Sequence, residues 1–395
     1  MNRSQRDAVS LQEARECADL ALDWLANSGM RTSKGGYRSE FDPLTGRYLS
    51  WGGGEDCTSC TAGAILAFLR ARRHIDRALE SGEHLLDLAL NEPPGASTGA
   101  IPMGERAPAV DSYFMAVAIQ ALLALHHETG EEDYLRAARK AGEYVVSRLV
   151  DDAGGITAYS SPLPSIRATI YRLHTLTEVW LGEYVKAFRL LYLEKKVRRW
   201  LAASEELADW LVSVQNHDGS FFKARLGVLG RVFVTLETRD PCVLVTGWDR
   251  RTHATSQTTA LEALVLSDRH RRARAVSRFL ASRLCSCGLL HETLSKHDQT
   301  KLSSPDVMPS AQYGLLLMKF PHLHANALRL TTHLARGLVS CQARNGDVNE
   351  RGGIRGLPTH RTRGNSLFVW DTAYASMFLS GWLENRSDST MKKAR

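Results

Sequence analysis

A chain of 395 residues with 44% apolar and 24% charged side chains can hold one large domain or two to three ordinary ones, and is neither disordered nor fibrous. Its net charge of +7 and pI of about 9.1 suit an anionic partner, yet Lys and Arg are spread along the chain with no nucleic-acid reading motif, so nucleic acid is not an expected partner. No stretch approaches the ~20 apolar residues of a bilayer span. The polar start "MNRSQRDAVSLQEARE" has no secretory pattern, and seven unevenly spaced cysteines make no disulfide framework, so a cytoplasmic location is expected.

In chain order, two kinds of helix alternate. "SLQEARECADLALDWLA" is amphipathic, with apolar residues at spacings of three and four, and "CTSCTAGAILAFL" after it is apolar nearly all round. The same pairing recurs as "IDRALESGEHLLDLAL" and "DSYFMAVAIQALLAL", then "EEDYLRAARKAGEYVVSRL" and "LHTLTEVWLGEYVKAF". It continues as "VRRWLAASEELADWLVSVQ" and "TSQTTALEALVL", "RRARAVSRFLASRLC" and "DVMPSAQYGLLLMKF", and finally "HLHANALRLTTHLARGLVSCQ" and "DTAYASMFLSGWL". The first member of each pair needs one wet face, and the second is buried all round. Six such pairs at roughly 60-residue spacing predict an all-α, closed (α/α)6 toroid of outer and inner helices over residues 1–384, with 385–395 as a flexible tail.

Joins from inner to outer helices are short, such as "HHETGEED". Joins from outer to inner helices are long and rich in Gly and aromatics, which gathers loops and inner-helix N-termini on one functional face. Within one of them, "RVFVTLET" and "CVLVTGW" read as a short β-hairpin.

The segment "DSYFMAVAIQALLALHHETGEEDYLRAARKAGEYV" resembles the hairpins of the six-hairpin glycosidase superfamily, which includes unsaturated glucuronyl and rhamnogalacturonyl hydrolases and acylglucosamine 2-epimerases. "QNHDGSF" and "CQARNGDV" resemble turns of the terpenoid-cyclase and prenyltransferase toroids, although no Asp-x-Asp-Asp run is present. The first resemblance implies a saccharide substrate and an important aspartate at Asp111, where the second inner helix opens. It also implies a second aspartate opening the third inner helix, where this chain offers only His174 and Glu178.

Asp56, Asp111, Asp306 and Asp371 all fall at starts of inner helices. Each is a natural N-cap, worth about 1 kcal/mol, and converging helices would also ring one cavity with them. Asp111 and Asp371 are the expected acid–base pair of a glycosidic reaction, with Glu178 or His253 assisting. An epimerase would instead use a histidine, with His253, His174 and His360 as candidates. Trp51, Tyr113, Trp248, Tyr313 and Trp370 are expected to floor a sugar site, with Tyr37 on the same face, Gln257 near His253, and Arg355, Arg361 and Arg363 free to clamp an anion.

Cys57 and Cys60, with Cys285 and Cys287 near His291, are the only thiolate clusters, and Cys-x-Cys is poor spacing for zinc, so no metal and no cofactor are expected. The sequence predicts a carbohydrate-active enzyme on an anionic, uronic-acid-like saccharide, by hydrolysis. A sugar epimerase, a terpenoid-cyclase-like toroid and a non-catalytic glycan- or protein-binding toroid stay open beside it.

Overall fold

The structure is a computed structural model that describes residues 9–51, 54–90, 99–105, 110–150, 155–157, 159–160, 175–292, 305–356 and 366–394. Its α-helices run α1 (Leu11–Asn27), α2 (Thr58–Ala71), α3 (Ile75–Leu90), α4 (Ser112–Thr129), α5 (Glu132–Arg148), α6 (Gly182–Lys195) and α7 (Arg198–Val214). They continue as α8 (Val228–Thr238), α9 (Cys242–Thr246), α10 (Ala254–Leu266), α11 (His270–Ala281), α12 (Val307–Lys319), α13 (Ala327–Ser340) and α14 (Val369–Ala394).

The outer layer is α1, α3, α5, α7, α11 and α13, each burying one face. In α1 the buried set is Ala14, Cys17, Ala18, Ala21, Leu22, Trp24, Leu25 and Ala26, and Ser10 with Glu13 closes a reciprocal capping box at its start. The inner layer is α2, α4, α6, α10, α12 and α14. α4 is buried from Ser112 through Leu123, as a helix apolar all round requires. Each inner helix packs on the next, and α14 returns to pack on α2 and α1. That closure distinguishes a ring from an open superhelix, and it is the predicted toroid.

Short sheets dress one end of the ring. Glu40–Asp42 pairs with both Arg47–Leu49 and Leu367–Phe368, so a strand near the start of the chain is stitched to the entry of the last helix. Trp24 Nε1 donates to the carbonyl of Asn349 at 2.8 Å, and Gln342 Nε2 to that of Cys17 at 2.8 Å, across the same seam.

Three segments differ from expectation. The third inner helix starts at Gly182, because "TLTE" before it alternates buried Thr175, exposed Leu176 and buried Thr177 and pairs as a strand with Ala224–Leu226. "RVFVTLET" and "CVLVTGW" form α8 and α9 rather than a hairpin. Their β-branched content suggested strand, but in α8 it is Gly230 and Val234, four apart, that are buried, while Val228, Val232 and Leu236 stand on the exposed face. Finally, α14 continues to Ala394, so the segment read as a tail after residue 384 is helical backbone.

Candidate active site

Strands of two residues lead directly into α4, α12 and α14, at Val110–Asp111, Pro305–Asp306 and Leu367–Phe368, and set the acidic residues at one end of the ring. Asp371 is in the first turn of α14, but its Oδ1 accepts the backbone N–H of Met308 at 3.0 Å, on neighbouring α12. Burial, moderated by that N–H and reinforced by Glu40, pushes its pKa up to about 7. Asp306, the N-cap residue of α12, is pushed well above the usual carboxylate range by burial, then by the charges of Asp371 and Glu292. Two buried carboxyls that repel each other's charge hold on to a proton between them.

The other two aspartates behave differently. Asp111 is the N-cap of α4, its Oδ1 accepting from the N–H groups of Tyr113 and Phe114 at 2.8 and 3.2 Å. Asp56 is a structural joint. Its carboxylate meets His84 Nε2 of outer helix α3 at 2.8 Å and the Glu105 N–H at 2.9 Å, and these partners outweigh burial and hold its pKa low.

Glu183 is a carboxylate that the sequence reading missed, because it placed the start of the third inner helix too early. Gly182 rests against the Thr259 carbonyl, so closely that a Cβ there would lie 1.9 Å from its oxygen. This packs the start of α6 tightly against α10, and Glu183 accepts from Gln120 Nε2 at 2.8 Å and Gln312 Nε2 at 3.1 Å. Those amides stand about one to two turns into α4 and α12, which puts Glu183 at the floor of the mouth. Burial raises its pKa. Glu178, the expected residue here, pairs through its backbone with Ala224, and its side chain lies outside what is described, as do His174, His360, Arg361 and Arg363 entirely.

His253 is the N-cap residue of α10. Its Nε2 lies 3.2 Å from Glu292 Oε1, its Nδ1 is buried with no partner among the described residues, and burial lowers its pKa so that the ring is neutral near pH 7. Its ring centroid is 6.2 Å from that of Trp180. Trp180 packs edge-on to Tyr113 at 5.2 Å, Tyr113 meets Trp370 at 5.7 Å, and Trp370 meets Tyr374 at 5.0 Å. The Tyr113 hydroxyl is buried with no partner among the described residues, and burial followed by the charges of Tyr374, Glu183, Asp111 and Asp306 keeps it protonated. One aromatic wall therefore joins the histidine to the carboxylates. Trp51 stands at its rim, 44% exposed and 6.0 Å from Phe368. Arg355 is exposed one residue before Gly356 and has no ion-pair partner among the described residues. A Cβ on Gly356 would lie 2.0 Å from Asp371 Oδ2, so the loop backbone sits directly on the acid.

Three expected substrate contacts also have structural partners. Gln257 bonds both the N–H and the carbonyl of Phe221, at 2.8 and 2.9 Å, and so anchors a loop. The Tyr313 hydroxyl, fully buried, bonds Ser277 of outer helix α11. Trp248 packs against Trp210 of α7 and Phe222, not against the Tyr113 wall. Each residue type was right for a mouth, but sequence does not reveal which neighbour faces it.

Among the described residues no group of three or more His, Cys, Asp or Glu side chains could hold a metal ion. Cys285 and Cys287 are joined as a disulfide, where no disulfide was expected. Cys57 and Cys60 are fully buried. Burial opposes ionisation of Cys57, but hydrogen bonds from Cys60, Ser59 and Ser39 bring its pKa to about 7. No described helix is long and apolar enough to cross a membrane.

No protein-family model matches the sequence, and no curated protein matches it. Solved structures do match. An unsaturated glucuronyl hydrolase specific for heparin superposes with a TM-score of 0.68 at 11% identity, covering 96% of this chain and 99% of its own. The cellobiose 2-epimerase of Bacillus thermoamylovorans gives 0.68 at 10% identity, covering 95% and 99%. The unsaturated glucuronyl hydrolase of Bacillus sp. GL1, described as responsible for degradation of glycosaminoglycan, gives 0.66 at 14%, covering 94% and 96%. The resemblance to six-hairpin glycosidases thus holds for the fold of the whole chain.

Proposed function

We propose that this chain is a carbohydrate-active enzyme that hydrolyses a glycosidic bond in a saccharide bearing a carboxylate or similar anionic group. The observation that carries the reading is the buried Asp306–Asp371 pair at the mouth, with Asp371 titrating at about 7. Burial and the charges of Asp371 and Glu292 raise Asp306 well above the usual carboxylate range, so Asp306 keeps the proton longer. Asp306 then protonates the departing glycosidic oxygen, while the Asp371 carboxylate attacks the anomeric carbon or takes a proton from the attacking water. This replaces the expected Asp111–Asp371 pair and makes Asp371 the base or nucleophile. Asp111, already spent on capping α4, shapes the pocket beside Tyr113. The wall of Tyr113, Trp180 and Trp370 offers apolar faces to a sugar ring. Arg355 at the rim, and the anionic saccharides named for two of the fold neighbours, favour a charged substrate.

His253 supports a second reading. A buried neutral imidazole oriented by Glu292, its other nitrogen without a partner among the described residues, suits removal of a carbon-bound proton, as a sugar epimerase needs. Turnover of uronic-acid disaccharides in deuterium oxide separates the two. Bond cleavage with one water added is the expected outcome. A product with its glycosidic bond intact and deuterium on carbon would transfer the proposal to the epimerase.

A further inference from the structure

A second cleft of about 990 Å³ lies outside the ring, between the C-terminal end of α7, the end of α11 and the α8–α9 insertion. Its lining mixes amides (Gln215, Asn216), aromatic rings (Phe222, Phe279) and four arginines. The acids there are already engaged. Asp249 holds Arg251 at 2.7 Å, Asp240 holds Arg250 at 3.2 Å, and Asp218 accepts from the Ser220 N–H and hydroxyl. Arg239 and Arg283 are left with no carboxylate among the described residues, and the Arg283 guanidinium lies 5.3 Å from the Phe279 ring centre. Two unspent guanidinium groups beside aromatic rings and amides suit an anionic sugar better than a nucleic acid or an apolar ligand.

The cleft lies next to the chain segment that enters the mouth. Thr252 lines it, His253 follows directly, and Arg251 is close enough to His253 to oppose its protonation. We infer that this cleft is an accessory binding site in which Arg239 and Arg283 hold a carboxylate- or sulfate-bearing sugar of an oligosaccharide whose reacting end lies in the mouth. The inference rests on the proposed saccharide substrate and adds where the remainder of a longer chain would lie.

The test is calorimetric titration of the full chain with trigalacturonate and, separately, uncharged galactotriose. Trigalacturonate should bind, more weakly as salt is added, and Arg239→Gln/Arg283→Gln should weaken it at least about tenfold, because two charge-assisted contacts are lost. Arg239→Glu alone, at an exposed position, should act in the same direction with no change in thermal stability. Unchanged affinity in these variants, equal binding of galactotriose, or no binding at all would overturn the inference. Binding needs no turnover, so a protein that binds through the arginines yet processes no saccharide would count against the catalytic reading alone.

Discussion

Asp371 bonds across helices: its carboxylate accepts the N–H of Met308 on α12 while its own backbone belongs to α14. A cap for its own helix would be replaceable by any short polar residue, but this acid ties together the last two inner helices of the ring. Asn at position 371 keeps an oxygen that can accept the same N–H, while removing the charge. Asp371→Asn should therefore fold normally and lose turnover by roughly 10²–10⁴-fold. Retained turnover in a well-folded variant would return Asp371 to a purely structural role.

The same variant makes a prediction about pH. An acid with pKa 3.8 when unfolded and about 7 when folded binds more protons in the folded state between those values. Its contribution to stability is thus full at low pH, declines as pH rises from about 4 to about 7, and is level above that. Asp371→Asn lacks this term, so denaturant midpoints should show the variant gaining on the native chain across that interval, by roughly 2–4 kcal/mol. A difference independent of pH would show that the carboxyl is not held protonated.

Gly356 tests the site without touching its acids. Because a Cβ would collide with both Asp371 Oδ2 and the Phe368 ring, Gly356→Ala should displace the carboxyl and cost about tenfold or more in turnover, with the helices intact by circular dichroism. Full activity would mean that the loop yields and Asp371 does not.

How much of this was legible in the sequence follows from what each residue depends on. The outer helices depend on spacing alone, and α3 was readable to both ends, Ile75 and Leu90. The order of layers followed from composition. The site was less legible because it depends on pairs far apart in the chain. Asp306 and Asp371 were visible as helix-opening acids, but only the packing of α14 on α12 sets one against the other. Tyr313 and Gln257 have the look of substrate contacts until Ser277 and the Phe221 backbone are found opposite them. Glu183 did leave a signal, the two-residue alternation of "TLTE" that excludes those residues from helix, but it was overridden by the apolar run that follows.

Glu183 also makes a stability prediction. Glu183→Ala would leave the Gln312 amide and one N–H of Gln120 unpaired in the core, with Gln120 keeping only the carbonyl of residue 183, and should cost roughly 2–4 kcal/mol by chemical denaturation, whereas Glu183→Gln, able to rebuild part of the network, should cost about half as much. Equal losses would show that the space, and not the hydrogen bonding, matters there.

The seam between the first and last hairpins has a consequence for how the molecule comes into being. Its bonds, Trp24 to Asn349 and Gln342 to Cys17, each span 325 residues. Contacts so distant in sequence carry a large loop-closure cost and form late. Until α14 docks, five hairpins form an open arc whose small-residue inner faces are exposed to any other partly made chain. The order of synthesis thus makes Asp371 among the last parts of the mouth to arrive, and the acid pair can exist only once α14 has docked against α12.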